Sequence, residues 1–211
     1  VGAGRKTAAE KKEIKHNPEQ EFADSMHTQA KGDTLLCFPA AGVKGAMATA
    51  ALETAGVNKT NVNRLIFLPQ TNINIWGKPY LKIDVVKSAD MNRTPDMRTR
   101  AYLPNWCAEV EIRFATPNFS THSISSLVQN AGRFIGLGDF RQEKGRGSFG
   151  TFTIIGDDFS FDGVSYKDMW DELMQEGRAV QELSRDNPEC ADQETAELMQ
   201  FLQEERLRRA A

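Results

Sequence analysis

Three arginines lie close together in the segment RTPDMRTR, at Arg93, Arg98 and Arg100. A guanidinium group is planar, stays charged and donates parallel hydrogen bonds in pairs, which suits it to phosphate groups. Alternation along an extended chain predicts that Arg98 and Arg100 share one face. The segment therefore indicates phosphate contacts, and the alternative is a set of surface salt bridges to the glutamates of residues 109–111.

A second cationic segment is the glycine-rich stretch GLGDFRQEKGRGSFG, residues 136–150, whose glycines alternate with Arg141, Lys144 and Arg146. Glycine permits close approach of the backbone, so that successive amides can point at an anion. The stretch lacks the Gly-Lys-Ser/Thr ending of a Walker loop, and no G-x-G-x-x-G fingerprint lies between a strand and a helix. We therefore predict a contact with a nucleic-acid backbone rather than a nucleotide cofactor.

Four aromatic side chains lie near basic residues in segments predicted to be loops: Phe38, Trp76, Tyr80 and Phe140. Nucleobases stack on such rings for roughly 1–3 kcal/mol each. A loop aromatic more often covers the hydrophobic core, so both interpretations stay open.

The chain contains cysteines, histidines and aspartates, but their spacing in the sequence matches no catalytic or metal-binding motif. The chain has three widely spaced cysteines: Cys37, Cys107 and Cys190. They form no CxxC motif, and the histidines have no metal-ligand spacing relative to them. His122 has no identifiable nucleophile partner, and Asp157 and Asp158 suit a turn as well as a metal. We predict a protein without enzymatic activity, metal, cofactor or disulfide, acting in a reducing compartment.

Charge is segregated along the chain, although the net charge is only −3. Residues 27–155 hold 15 lysines and arginines against nine acidic residues, whereas residues 156–211 hold six against 15. Residues 1–26 are neutral, with five of each sign. A basic body beside an acidic tail indicates a polyanion-binding surface and a tail that screens, spaces or docks, with simple solvation as the alternative.

Hydrophobic periodicity predicts helices and strands in alternation. The predicted helices span residues 42–56, 123–135 with Ser123 as N-cap, 166–183 and 192–209. The predicted strands span residues 64–68, 81–86, 106–114 and 151–155, and residues 88–97 form a loop or hairpin tip. The order indicates an α+β fold with a ferredoxin-like or RRM-like antiparallel sheet, packed helices, an inserted hairpin and a C-terminal helical tail.

Composition indicates three regions: a polar N-terminal arm (residues 1–30), a core (31–155) and an acidic helical tail (156–211). No run of 18 apolar residues occurs, so no transmembrane helix or membrane partner is expected. The first residue is valine and the start resembles no signal or transit peptide, so we expect the true start to lie upstream.

Two segments resemble the RAMP superfamily, the backbone subunits of CRISPR effector complexes. Residues 38–47, FPAAGVKGAM, resemble its proline-to-lysine-glycine-alanine helix start, and residues 145–150, GRGSFG, resemble its C-terminal glycine-rich loop. Together with Arg98-Thr-Arg100 and Pro104-Asn-Trp106, they also resemble a family of uncharacterised bacteriophage proteins. The similarity covers roughly residues 35–155 and leaves the acidic tail outside.

The resemblance implies an RRM-like core that polymerises along single-stranded RNA or DNA. Lys44 and Arg146 would then contact the nucleic-acid backbone, and residues 70–97 would form a protruding hairpin. A phage origin implies work in the host cytoplasm, on single-stranded DNA rather than a CRISPR RNA. The initial strand of the family pattern is not evident in this chain, and no catalytic acid of the family can be assigned.

The sequence thus predicts a cytoplasmic, sequence-tolerant single-strand-binding protein that forms homo-oligomers along the strand. Its predicted phosphate contacts, expected to converge on one surface, are Lys44, Arg93, Arg98, Arg100, Arg141, Lys144 and Arg146. The alternative is an assembly or host-defence decoy protein of a bacteriophage whose basic face meets acidic protein. A metal-dependent nuclease is the third hypothesis.

Overall fold

The computed structural model describes residues 16–87, 95–144, 147–156, 160–161 and 163–210, without the side chains of residues 144, 161 and 210. The helices are α1 (Pro18–Asp24), α2 (Ala40–Ala50), α3 (Lys59–Leu65), α4 (Thr121–Asn130), α5 (Tyr166–Gln175), α6 (Arg178–Asp186) and α7 (Gln193–Ala210). The strands are β1 (Cys37–Pro39), β2 (Ile66–Phe67), β3 (Asn72–Asn74), β4 (Tyr80–Lys87), β5 (Pro95–Tyr102), β6 (Arg113–Phe114), β7 (Ser160–Phe161) and β8 (Val164–Ser165). Tighter or wider helical turns span Ala51–Glu53, Ala131–Ile135 and Gln142–Lys144.

The chain is an α+β protein, as predicted. Its strands pair in two-stranded antiparallel sheets: β1 with β3, β2 with β6, β4 with β5, and β7 with β8. The strands in the described ranges do not join into the larger ferredoxin-like or RRM-like sheet, so that finer prediction is not confirmed. No helix in the part of the chain that the structure describes is both long and apolar enough to cross a bilayer.

The chain divides into two compact units, each built from separate stretches of sequence. The hairpin unit contains Val1–Leu36, Trp76–Trp106 and Gln175–Ala211. The glycine-loop unit contains Cys37–Ile75 and Cys107–Met174. The arm, core and tail inferred from composition each contribute residues to the hairpin unit.

The hairpin unit is organised around β4 and β5, which pair along their whole length. Alternation places Leu81 and Ile83 of β4 on the inner face, where both are buried. Phe22 of α1 and Leu202 of α7 pack against them and complete the core of this unit. Because one face of each strand is buried, a slip of one residue would expose this apolar set, so the core defines the register.

Beside the hairpin, the side chain of Gln181 on α6 connects three stretches of the hairpin unit. Its Oε1 accepts from the backbone N–H groups of Leu35 (2.8 Å) and Leu36 (2.9 Å). Its Nε2 donates to the carbonyls of Gly77 (3.1 Å) and Glu176 (3.2 Å). The side chain is fully buried, so these bonds take the place of the water that the amide loses on folding.

The core of the glycine-loop unit surrounds α2, whose small residues let neighbouring elements approach closely. Met47 of α2 is fully buried, with Val62 of α3, Ile73 of β3 and Leu127 of α4 in the same cluster. The helix predicted over residues 42–56 is confirmed for its first part. Gly56 follows with φ +73°, a conformation that favours glycine and ends the helical segment.

The segment 106–114 was predicted as a strand, but only Arg113–Phe114 pairs with another strand. The side-chain faces are as predicted, since Val110 and Ile112 pack against the core and Glu111 is exposed. The side chain of Gln70 takes the place of a neighbouring strand: its Nε2 donates to the Glu109 carbonyl (3.3 Å) and its Oε1 accepts from the Glu111 N–H (2.9 Å). The rest of the segment therefore needs no paired strand.

The strand predicted over residues 151–155 is absent from the described structure. Instead, the Phe152 N–H donates to the Gly132 carbonyl (3.3 Å), and the Ile154 N–H donates to Oε1 of Gln129 (3.1 Å). The backbone hydrogen bonds of this apolar segment are thus met by a helical turn and a side chain.

Several helix boundaries differ from the predictions. α4 is capped by Ser120 rather than Ser123, and the two serines form a reciprocal capping box. The strand predicted over residues 64–68 begins only at Ile66, because α3 continues to Leu65. The predicted helix 166–183 is two helices, separated at Gly177, where the Glu176 carbonyl accepts from the Gly77 N–H (3.2 Å).

Replacing Gln181 with leucine is expected to destabilise the hairpin unit by about 3 kcal/mol or more, because buried backbone groups lose their partners. Hydrogen exchange measured by mass spectrometry should show faster exchange in peptides containing Leu35 and Leu36. Gln203→Leu, an exposed glutamine on α7, is the control and should change stability by less than about 0.5 kcal/mol. Equal exchange in the two variants would contradict the role assigned to Gln181.

Candidate nucleic-acid interface

The face of the β4–β5 hairpin opposite its core is called the outer face here. It carries Tyr80, Lys82, Asp84 and Val86 from β4 and Asp96, Arg98, Arg100 and Tyr102 from β5. Tyr80 lies directly opposite Tyr102, Lys82 opposite Arg100, and Asp84 opposite Arg98. The prediction that Arg98 and Arg100 share a face is confirmed.

The two arginines of the outer face differ in their surroundings. Arg98 is exposed and has no hydrogen-bond or ion-pair partner among the described residues, although Asp84 lies across the ladder from it. Arg100 is half-buried, and its Nη1 donates to the Thr99 carbonyl (2.9 Å). A guanidinium group has five N–H donors, so one side chain can bind several acceptors at the same time.

Cations lie over both tyrosines at the open end of the hairpin, where β4 begins and β5 ends. The Nζ of Lys78 is 5.1 Å from the ring centroid of Tyr80, and the Nζ of Lys82 is 5.9 Å from that of Tyr102. Such contacts hold the rings in place and contribute roughly 0.5–1 kcal/mol each at exposed sites. The result is a pair of half-buried aromatic rings bordered by positive charge.

Both lysines are already paired with carboxylates of the acidic tail. Lys78 Nζ donates to Glu189 (2.8 Å), and Lys82 Nζ donates to Asp192 (2.7 Å). The hydrogen bond that Lys78 donates to Glu189 raises the pKa of Lys78, and the one that Lys82 donates to Asp192 raises the pKa of Lys82. These lysines therefore stabilise the fold. The exposed Arg98 is the cation of the outer face best placed for an external anion, and Arg100 lies beside it on the same face.

Asp192 has two roles at the start of α7. One carboxylate oxygen binds Lys82, and the other accepts from the Thr195 backbone N–H (2.8 Å), as in a helix N-cap. The Lys82 hydrogen bond and then the Thr195 bonds lower the pKa of Asp192 to about 2. The carboxylate thus ties β4 to the helix that covers its inner face.

Lys44, which the family resemblance assigns to the nucleic-acid backbone, lies on α2 in the glycine-loop unit. Its Nζ donates to the Asn63 carbonyl in the last turn of α3 (2.9 Å). The same ammonium lies 5.7 Å from the ring centroid of Phe67. Lys44 is therefore partly engaged within the protein, in a unit different from that of Arg98 and Arg100.

Arg141 is also engaged by its own loop. Its guanidinium makes two bonds to one carboxylate oxygen of Glu143, from Nε (3.0 Å) and from Nη2 (2.6 Å), and Nη1 donates to the Gly138 carbonyl (2.9 Å). This side chain holds the glycine-rich stretch together. Arg93 and Arg146 and the side chain of Lys144 lie outside the described residues.

The glycines of residues 136–150 serve close packing of the loop on itself. The Leu137 N–H donates to the Gly150 carbonyl (2.8 Å). A Cβ at Gly150 would collide with the Leu137 carbonyl, and one at Gly147 would collide with that of Phe140. Gly150 also has φ +71°. In the described part of the loop, these positions need glycine for the fold without any bound anion.

The four aromatic residues selected from the sequence have different environments. Phe38 is half-buried against the core of the glycine-loop unit, and Trp76 is buried in the hairpin unit. Tyr80 lies on the outer face, and Phe140 is exposed. Tyr102 was missed by the sequence reasoning, although it has the same strand parity as Arg98 and Arg100.

The side chains that could ligate a metal do not cluster where the chain is described. No group of three or more such side chains occurs within the described ranges. His122 is exposed in the first turn of α4. Asp157 and Asp158 fall outside the described residues. Burial raises the pKa of Cys107 to about 11, so this thiol is protonated at neutral pH.

Comparisons with protein-family models, with curated proteins and with solved structures found no match. The resemblance to the RAMP superfamily and to bacteriophage proteins therefore stays a prediction from short motifs.

Gly150→Ala is expected to destabilise the glycine-loop unit by several kcal/mol, since it combines a left-handed conformation with a backbone collision. Gly138→Ala is the matched control, because Gly138 has φ +83° but open space around its Cβ. Gly138→Ala should lower the free energy of unfolding only by the conformational penalty of about 1–2 kcal/mol. Urea denaturation followed by circular dichroism measures both, and equal losses would contradict the packing role.

Asp192→Asn keeps an N-cap acceptor but removes the charge that binds Lys82. The pKa of Asp192 is lowered from 3.8 to about 2 in the folded protein, so its contribution is complete above pH 4 and disappears as the pH falls toward 2. The free energy of unfolding of the variant should be lower than that of the parent by up to about 1 kcal/mol at neutral pH. Between pH 4 and pH 2 it should change less with pH than that of the parent. Parallel profiles for variant and parent in urea titrations would contradict this assignment.

Proposed function

We propose that this protein binds single-stranded nucleic acid through the outer face of the β4–β5 hairpin. The observation that supports the proposal most strongly is the ladder itself, on which two opposed tyrosines are followed along β5 by Arg100 and Arg98. Exposed or half-buried cations next to aromatic rings are the combination that single strands require, because phosphates and unstacked bases must be met together.

Each part of the outer face has a matching group on a single strand. The forked guanidinium groups of Arg98 and Arg100 bind phosphate oxygens, and the rings of Tyr80 and Tyr102 stack on bases. A base stacked on tyrosine contributes roughly 1–3 kcal/mol. Neither contact reads a base edge, so the binding is tolerant of sequence.

The finer predictions from the sequence belong to the same proposal. In it, the protein is a non-enzymatic, phage-encoded component of the host cytoplasm with a RAMP-type, RRM-like core, and copies assemble along the strand. The support for this part is the resemblance of residues 38–47 and 145–150, together with the α+β content of the chain.

A second candidate function is protein assembly through the same basic face. The observation that favours it is that Lys78 and Lys82 bind carboxylates of Glu189 and Asp192 within this chain. An acidic segment of another protein has the same chemistry. Such a partner would bind without any dependence on stacked bases.

Replacing both Arg98 and Arg100 with alanine should weaken binding of a labelled oligothymidine of about 20 nucleotides by roughly 10- to 100-fold at low salt. Because the double variant makes two fewer phosphate contacts with a single strand, the slope of log K against log salt should also fall by about 1.4. Fluorescence anisotropy over a salt series measures both quantities.

Arg185→Ala is the matched control, since Arg185 lies on α6 of the same unit and pairs with Asp186. It should leave affinity and salt slope unchanged. If the parent protein binds the oligonucleotide with no salt dependence, or if the double variant binds as well as the parent, the proposal is wrong.

A further inference from the structure

Phe67 is an exposed aromatic residue of the glycine-loop unit, with 56% of its surface accessible. It lies on β2, next to Ile66, which is fully buried in the core. Alternation along the strand therefore holds the Phe67 ring on the face away from the core. A large apolar side chain of this unit therefore stays in contact with solvent.

Two cations border this ring. The ammonium group of Lys44 lies 5.7 Å from the ring centroid, and Arg113 is the cross-strand neighbour of Phe67 in the β2–β6 ladder. Directly opposed side chains on a ladder share one face, with Cβ atoms about 5 Å apart. Phe67 thus lies beside one charge from α2 and another from β6.

Both cations keep donors for an external anion. Lys44 uses one of its three N–H donors on the Asn63 carbonyl, at the end of α3. Arg113 is 68% exposed in its side chain, and its Nε donates to Glu111 (2.7 Å). A surface ion pair of this kind is worth only about 0–1 kcal/mol, so a phosphate can replace or share it at little cost.

We infer that Phe67, Lys44 and Arg113 form a second nucleotide-binding site, on which an unpaired base stacks on the Phe67 ring while the two cations hold its neighbouring phosphates. The inference rests on the proposed single-strand binding and adds a contact in the glycine-loop unit. The neighbouring α3 and β2 present Arg64 and no carboxylate between Lys59 and Phe67, which favours a polyanion over a basic partner.

The charges around an exposed phenylalanine determine whether it can bind a nucleotide, as a second ring in this chain illustrates. Phe201 on α7 is equally exposed, at 60%, but Glu204 and Glu205 lie beside it on the surface of the same helix. The two arginines in the last turn of that helix are already paired with Glu205. An aromatic ring among carboxylates repels phosphate, whereas a ring among cations attracts it. Phe201 therefore serves as the matched control for Phe67.

The test compares two oligonucleotides with the same phosphates: oligothymidine of about 20 nucleotides and an abasic strand of equal length. The parent protein should bind oligothymidine more tightly than the abasic strand. Phe67→Leu should reduce that preference by roughly tenfold, the value of one stacked base, while its affinity for the abasic strand stays the same. Lys44→Met should weaken binding of both strands. Phe201→Leu should change neither.

The outcomes separate this inference from the proposed function. If Phe67→Leu keeps the full preference for bases while the Arg98 and Arg100 double variant loses affinity, only this second site is wrong. If the parent protein binds neither strand, both proposals fail. Polyglutamate that binds as tightly as oligothymidine, and in a manner sensitive to Phe67, would assign the site to acidic protein and overturn the inference. Photocrosslinking of 5-iodouracil strands to the peptide containing Phe67 would support it independently.

Discussion

The hairpin unit depends on the buried amide of Gln181. Stretches far apart in the sequence must meet there, and their backbone groups need hydrogen-bond partners once water is excluded. The amide supplies two lone pairs to Leu35 and Leu36 and two N–H donors to Gly77 and Glu176. Arg178, one turn earlier on α6, adds donors to the carbonyls of Gly32 and Thr34. The short helix α6 thus fixes the segment that leads into β4, the first strand of the outer face.

Glutamine side chains have a similar role in the glycine-loop unit. Gln70 bonds to the backbone on both sides of Val110, and Gln129 bonds to Thr153 and Ile154. The amide of Gln70 takes the place of a neighbouring strand, because its carbonyl and N–H₂ bond to both kinds of backbone group. The amide of Gln129 does so in part, since its carbonyl accepts from the Ile154 N–H while its N–H₂ donates to the Thr153 hydroxyl. This explains how short two-stranded sheets suffice for segments whose side chains alternate as in strands.

The acidic tail, residues 156–211, also packs along the edge of β4 and forms part of the fold. Backbone atoms of Glu189 and Ala191 bond to Leu81 along the edge of β4, and Thr195 receives the Ile83 N–H. An exposed strand edge invites pairing with other chains, and these contacts occupy it. The charges of Glu189 and Asp192 then neutralise the nearest lysines. Part of the opposite charge of the basic core and the acidic tail is therefore neutralised by ion pairs within the hairpin unit.

Local periodicity in the sequence determined which residues share a face. The alternation that buries Leu81 and Ile83 also places Arg98, Arg100 and Tyr102 on the outer face, and the alanine-rich stretch ending before Gly56 forms α2. These properties depend on backbone geometry over a few residues, so sequence suffices for them. Only the tertiary structure decided which groups serve the fold and which are left for a partner. Arg141, Lys78 and Lys82 are engaged by carboxylates, whereas Arg98 is not paired within the described residues. The physical reason is that hydrogen bonds and ion pairs form between residues distant in sequence, and only the packed chain brings those residues together.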